Sequence, residues 1–163
     1  MPLETQVRLF QSNQQYGDQL IAEIDPASVF VPIAPGGNHP AWQIGHLAWA
    51  GHQIVQMLGG EPGIDIEAYG KLFAGGTQPV ETATAYPTWR EVIDAWHDAH
   101  RRVEAAAHAA DPAALDQPSP VEMMKDTLPT LGDFVSFLMV SHESVHLGEL
   151  AAWRRVRGQP PLF

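Results

Sequence analysis

The sequence predicts an all-α fold, a four-helix bundle with a long crossover between its second and third helices. Three observations lead there. Four segments carry apolar residues at the three-and-four spacing of a helix face, and none alternates convincingly like a half-buried strand. Two of the four open on capping-box patterns, Thr88 with Glu91 and Thr130 with Asp133. Between the second and third segments, residues 61–87 form a connection rich in Pro and Gly that is too long for a turn.

In the first segment Leu3, Val7, Phe10, Gln14, Gly17, Ile21 and Ile24 mark one inward stripe, which ends near Asp25-Pro26. Pro40 suits the first turn of the second helix, with Asn38 or His39 at its cap. That helix runs to about Leu58 and stops at Gly59-Gly60. It is apolar on most of its circumference, as a helix packed on several sides would be. The crossover carries a short helical turn from Ile66 to Phe73. The third helix follows Thr88, buries Trp89, Ile93, Trp96, His100, Val103 and Ala107, and ends near Asp111-Pro112. The fourth follows Thr130. Its inward face is Leu131, Val135, Leu138, His142, His146, Glu149 and Trp153, and Gly158-Gln159-Pro160-Pro161 stops it. Without repeats or a second composition regime, the chain reads as one domain spanning 1–163.

A net charge of −10 argues against a nucleic-acid backbone or an anionic membrane as partner. The small basic cluster Arg154, Arg155 and Arg157 does not reverse this. No apolar run approaches the roughly 20 residues of a membrane span. The segment Met1–Gln6 carries no secretory signal pattern, so a cytoplasmic protein is expected. There are no cysteines. Any metal must therefore be held by His or carboxylates, and any thiolate nucleophile must diffuse in.

Three histidines stand out. His142 and His146 are four apart on the fourth helix, so their rings share a face. His46 lies on the second helix, apolar nearly all round. Together they offer a three-ligand metal site with one open position, the pattern of a catalytic rather than a structural ion. The competing reading is three core histidines satisfied by ordinary hydrogen bonds. His100, inward on the third helix, is a pocket residue or a rival ligand, and His52 points about 120° away from His46. His39 looks like a cap, and His97 and His108 look solvated. Glu149, a turn beyond His146, is either a partner for an Arg or a ligand ring, or a general base. Tyr69, Lys71 and Tyr86 place the crossover at the wall or lid of a cavity, where Lys71 could meet an anionic substrate group. Trp42, Trp49, Trp96 and Trp153 read as core, some of them at the pocket mouth.

The stretches Trp42-Gln43-Ile44-Gly45-His46-Leu47-Ala48-Trp49 and Ser141-His142-Glu143-Ser144-Val145-His146-Leu147-Gly148-Glu149-Leu150 resemble the DinB/YfiT-like superfamily of metal-dependent enzymes. So do Trp153-Arg154-Arg155, Gly158-Gln159-Pro160-Pro161 and the run Lys71–Val80. The resemblance spans essentially the whole chain. It implies a four-helix bundle with a zinc or nickel ion on His46, His142 and His146, a small-molecule substrate and a homodimer. It also implies a low-molecular-weight thiol as a co-substrate, since relatives include thiol-dependent isomerases and S-transferases. One position departs: Glu149 stands where Gln is common. The expected function is thus a metal-dependent transferase or hydrolase. The competing class is a non-catalytic, stress-related metal-binding protein, in which Glu149 or His100 would close the fourth position.

Overall fold

A computed structural model describes residues 3–162. In α1 (Glu4–Ala22) the buried positions Val7, Phe10, Gly17, Leu20 and Ile21 form the expected stripe. Helix α2 (Pro40–Met57) is buried almost throughout, and Gly59 follows it in the left-handed region at φ 79°. The crossover contains α3 (Ile66–Phe73), capped by Asp65. Helix α4 (Trp89–Ala109) opens on the Thr88–Glu91 capping box, and a one-turn α5 (Pro112–Leu115) follows it. The fourth long helix consists of α6 (Leu131–Phe137), a π turn (Leu138–His142) and α7 (Glu143–Val156). Among the described residues there are no strands, only an isolated bridge between Pro118 and Thr130.

Contacts along the helices give their directions. Gly51 lies against Ala99 and Gly60 against Ala106, so α2 and α4 run parallel. Phe10 stacks on His100 while Asp18 meets His97, so α1 and α4 run antiparallel. Gln43 meets Glu149 and His46 meets His142, so α2 and α7 are antiparallel as well. A chain leaving α2 must travel back about 27 Å, the length of an 18-residue helix, before it can start a parallel α4. That distance is the physical reason for the crossover, and the fold is the four-helix bundle expected.

The π turn alters one expectation. A π turn takes an extra residue, so the face downstream of it rotates relative to an unbroken α-helix. The buried line becomes Val135, Met139, Glu143, Leu147, Leu150 and Arg154, rather than the stripe through Leu138, His142, His146 and Glu149. His142 and His146 flank this line on the side of α2. Glu149 lies farther out, with 49% of its side chain exposed, which corrects its inward placement. Asn13 of α1 supports the π turn by donating to the carbonyls of Met139 and Val140 at 3.4 and 3.3 Å. The Ser144 hydroxyl donates to the Val140 carbonyl at 2.7 Å.

Two charged groups lie in the core. Glu143 is 2% exposed and accepts from Trp96 Nε1 at 3.1 Å and from His100 Nε2 at 2.7 Å. Arg154 is 1% exposed and donates to the Leu20 carbonyl and to Glu23. The basic cluster near the end of the chain is therefore smaller on the surface than in the sequence. No helix among the described residues is long and apolar enough to cross a membrane.

Candidate metal centre

The site begins with a glycine. A Cβ on Gly45 would meet the Phe73 ring at 2.3 Å, so only glycine lets α3 settle this close to α2. That approach brings the Phe73 carbonyl to 2.6 Å from His46 Nδ1. A carbonyl only accepts, so Nδ1 carries the proton and Nε2 keeps its lone pair. The Trp42 ring stacks on His46 at 4.9 Å and 6°, fixing the plane of the imidazole. Trp42 is itself held by its indole N–H, which donates to Thr77 Oγ1 at 2.9 Å.

The crossover is anchored a second time at the head of α2. His39 Nδ1 accepts from the Trp42 backbone N–H at 3.0 Å, the cap expected of it. Its Nε2 then carries the proton and donates to the Val80 carbonyl at 3.1 Å.

His146 is oriented from the other side. Gln43 donates through Nε2 to Glu149, which turns its Oε1 toward His146 Nδ1 at 2.5 Å. His146 therefore also carries its proton on Nδ1 and presents a bare Nε2. The His142 Nε2 lies 3.1 Å from the Nε2 of His46, and its Nδ1 is buried without a partner. All three residues offer a ligand nitrogen within 4.8 Å of the others. Ligand nitrogens about 2.0–2.1 Å from one zinc ion lie roughly 3 Å apart, a separation that the 3.1 Å between His46 and His142 matches.

Protonation agrees with this geometry. Burial lowers the pKa of all three rings. Burial first, and the nearby His46 second, bring His142 down to about 4. Burial and both neighbouring imidazoles bring His146 to about 3. At neutral pH the rings are neutral and able to bind a cation. The donor set is nitrogen only, which suits a first-row divalent transition metal.

A pH effect follows. Below the unfolded value of 6.5 the unfolded chain takes up protons that the folded rings refuse. Stability rises with pH wherever the unfolded state binds more protons. The metal-free protein should therefore lose stability as pH falls from about 6.5 towards 4, by an amount on the order of a few kcal/mol. Urea midpoints across that range measure it, with His146→Ala expected to flatten the slope. An equally steep slope in the variant would show that His146 is not the group being protonated.

The remaining sequence candidates lie elsewhere. His100 is committed to Glu143, so it is not a rival ligand. His52 is fully buried near Asp98 and accepts from the Gly63 N–H at 3.2 Å, away from the triad as its angle on α2 predicted. His97 pairs with Asp18 at 2.7 Å, and His108 lies 3.7 Å from Glu104. Lys71 sits on the surface beside Glu67 rather than at the site.

His46 and His142 open onto a cavity of about 330 Å³, which Trp49, Ala50, Gln53 and Met57 of α2 line on one side. Its other walls come from Pro120 and Val121 of the second long connection and from Phe134 and Leu138. Tyr69, Lys71 and Tyr86 do not line it, so the crossover orients His46 from behind rather than forming the expected wall or lid. Among the tryptophans, Trp49 lines this cavity. Trp42 and Trp96 belong to the core, and Trp153 lines a separate groove with Gln43 and Glu149.

The sequence profile of the DinB superfamily matches residues 9–150. The chain belongs to the DinB superfamily. This DinB protein also superposes on YfiT from Bacillus subtilis, described as a probable metal-dependent hydrolase with an unusual four-helix bundle topology. The TM-score is 0.67 over 96% of this chain and 88% of that one, at 14% identity, which shows a shared fold. No curated protein matches the chain significantly.

Two contributors escaped the sequence reading. Gln43 lies one turn before His46, a spacing that could have marked it as a partner on the same face. The Phe73 carbonyl is backbone and carries no sequence signal of its own. Gln43→Ala should weaken zinc binding by about 10- to 100-fold, as the loss of a group that orients a ligand does. Chelator competition measures this, and unchanged affinity would remove Gln43 from the site.

Proposed function

We propose that this DinB protein is a metal-dependent hydrolase acting on a small molecule at His46, His142 and His146. The supporting observation is that the three ring nitrogens converge beside a cavity while no further His or carboxylate among the described residues joins the group. Glu149 and His100, which would close a structural site, are engaged with Gln43 and Glu143. That favours an enzyme over a metal-binding protein without chemistry. His46, His142 and His146 would hold a divalent ion, zinc or nickel, which would supply Lewis acidity to a bound substrate or water.

The chain's own groups do the rest. The Phe73 carbonyl and Gln43 set the tautomers of His46 and His146. Glu149 acts through Gln43 as a positioning residue, in place of the general-base role considered for it. The apolar cavity walls offer a bound substrate group no hydrogen-bonding competitor of their own besides Gln53 and the Trp49 indole. Hydrolysis is preferred over transfer because the structural neighbour YfiT is described as a probable hydrolase. This reading includes a cytoplasmic homodimer that uses no nucleic acid. S-transfer from a low-molecular-weight thiol is the alternative on the same centre.

The test uses untagged protein loaded with zinc or nickel and a panel of esters and amides. Each is assayed alone and with bacillithiol, mycothiol, glutathione or coenzyme A. Turnover without thiol that disappears on chelation is expected. Turnover only with a thiol would replace hydrolysis by transfer, and inactivity of fully loaded protein would favour a binding protein.

A further inference from the structure

The cavity beside His46 and His142 carries no charged side chain, unlike several other grooves formed by the described residues. Trp49, Met57, Val121, Phe134 and Leu138 supply most of its wall, and Gln53 is its one polar side chain besides the two imidazoles. By contrast, the neighbouring groove holds Glu149 and Asn38, and another is lined by Glu91, Asp94 and Asp98. A charged group buried without a partner costs far more than its apolar surroundings return. A substrate tail carrying a carboxylate or an ammonium would meet no charged side chain of opposite sign along that wall.

We propose that this cavity selects substrates by an uncharged aliphatic or aromatic group, seated against Trp49, Phe134 and Leu138. Gln53, a neutral polar side chain in that wall, is the position at which an introduced charge would change the preference. At about 330 Å³ the cavity lies near the lower end of the range for small-molecule sites, which suits a group of about hexyl or phenyl size. The inference takes its chemistry from the hydrolase reading. The preference itself belongs to the cavity and is measurable without metal.

Calorimetric titration of metal-free protein with straight-chain amides from acetamide to heptanamide tests it. Affinity should rise about fourfold for each added methylene until the cavity is full. Two probes with a charge at the far end, 6-aminohexanamide and adipamate, should bind at least about tenfold more weakly than hexanamide. Ala50→Trp fills the cavity and should abolish the series. Gln53→Glu should reverse the order, so that 6-aminohexanamide binds more tightly than hexanamide, a change that general loosening of the fold would not produce. A flat series, or charged and uncharged probes binding alike, overturns the proposal. Zinc titration of the same samples separates the two claims. Zinc uptake without the amide series defeats the cavity proposal alone, whereas the series without zinc uptake defeats the metal reading and leaves the cavity's selectivity standing.

Discussion

His142→Ala is expected to abolish stoichiometric metal binding, and any turnover with it, while the helical bundle stays folded. The centre offers three nitrogens, and two neutral imidazoles from different helices hold zinc far less well than three. The fold should tolerate the change because His142 does little else. Its Nδ1 is buried without a partner, and its Nε2 meets only the Nε2 of His46 at 3.1 Å. Metal analysis after equilibrium dialysis, together with circular dichroism, separates the two outcomes. A folded variant that still binds one equivalent with unchanged affinity would exclude His142 as a ligand.

Glu143→Ala is expected to have the larger effect on stability, about 2–5 kcal/mol, the usual cost of leaving two buried hydrogen-bond donors without their acceptor. The carboxylate accepts from Trp96 and His100 in the middle of the bundle, where water cannot replace it. Alanine would leave two buried donors unsatisfied as well as a void. Glu143→Gln keeps an acceptor oxygen and should cost less. Urea unfolding measures both, and a loss below about 1 kcal/mol in the alanine variant would mean that water or a rearranged neighbour satisfies the donors.

Much of the bundle was legible in the sequence because its signals are local. Capping boxes, Pro40 at a first helical turn and Gly59 after a helix end depend on near neighbours in the chain. The crossover was legible by its length, and its helical turn begins and ends at Ile66 and Phe73 as expected. The π turn was not legible. A search at helical period assumes an unbroken helix, and the extra residue at Leu138–His142 shifts everything beyond it. The burial of Glu143 and Arg154 therefore had no signal in that pattern, and Glu149 was placed on the inside.

The His pair survived this shift because residues four apart stay on one face whichever way that face points. The supports of the site were hidden for a different reason. The Phe73 carbonyl reaches His46 through the packing of α3 on Gly45, a contact between segments 27 positions apart. No local pattern encodes it.

The most direct test of the centre is X-ray absorption fine structure on untagged protein loaded with one equivalent of zinc. Three imidazole nitrogens at about 2.0–2.1 Å and one further light atom are expected, with one imidazole lost in His46→Ala. Failure to take up zinc or nickel, or a bound ion whose imidazole count is the same without His46, would contradict a site shared by the second and fourth helices.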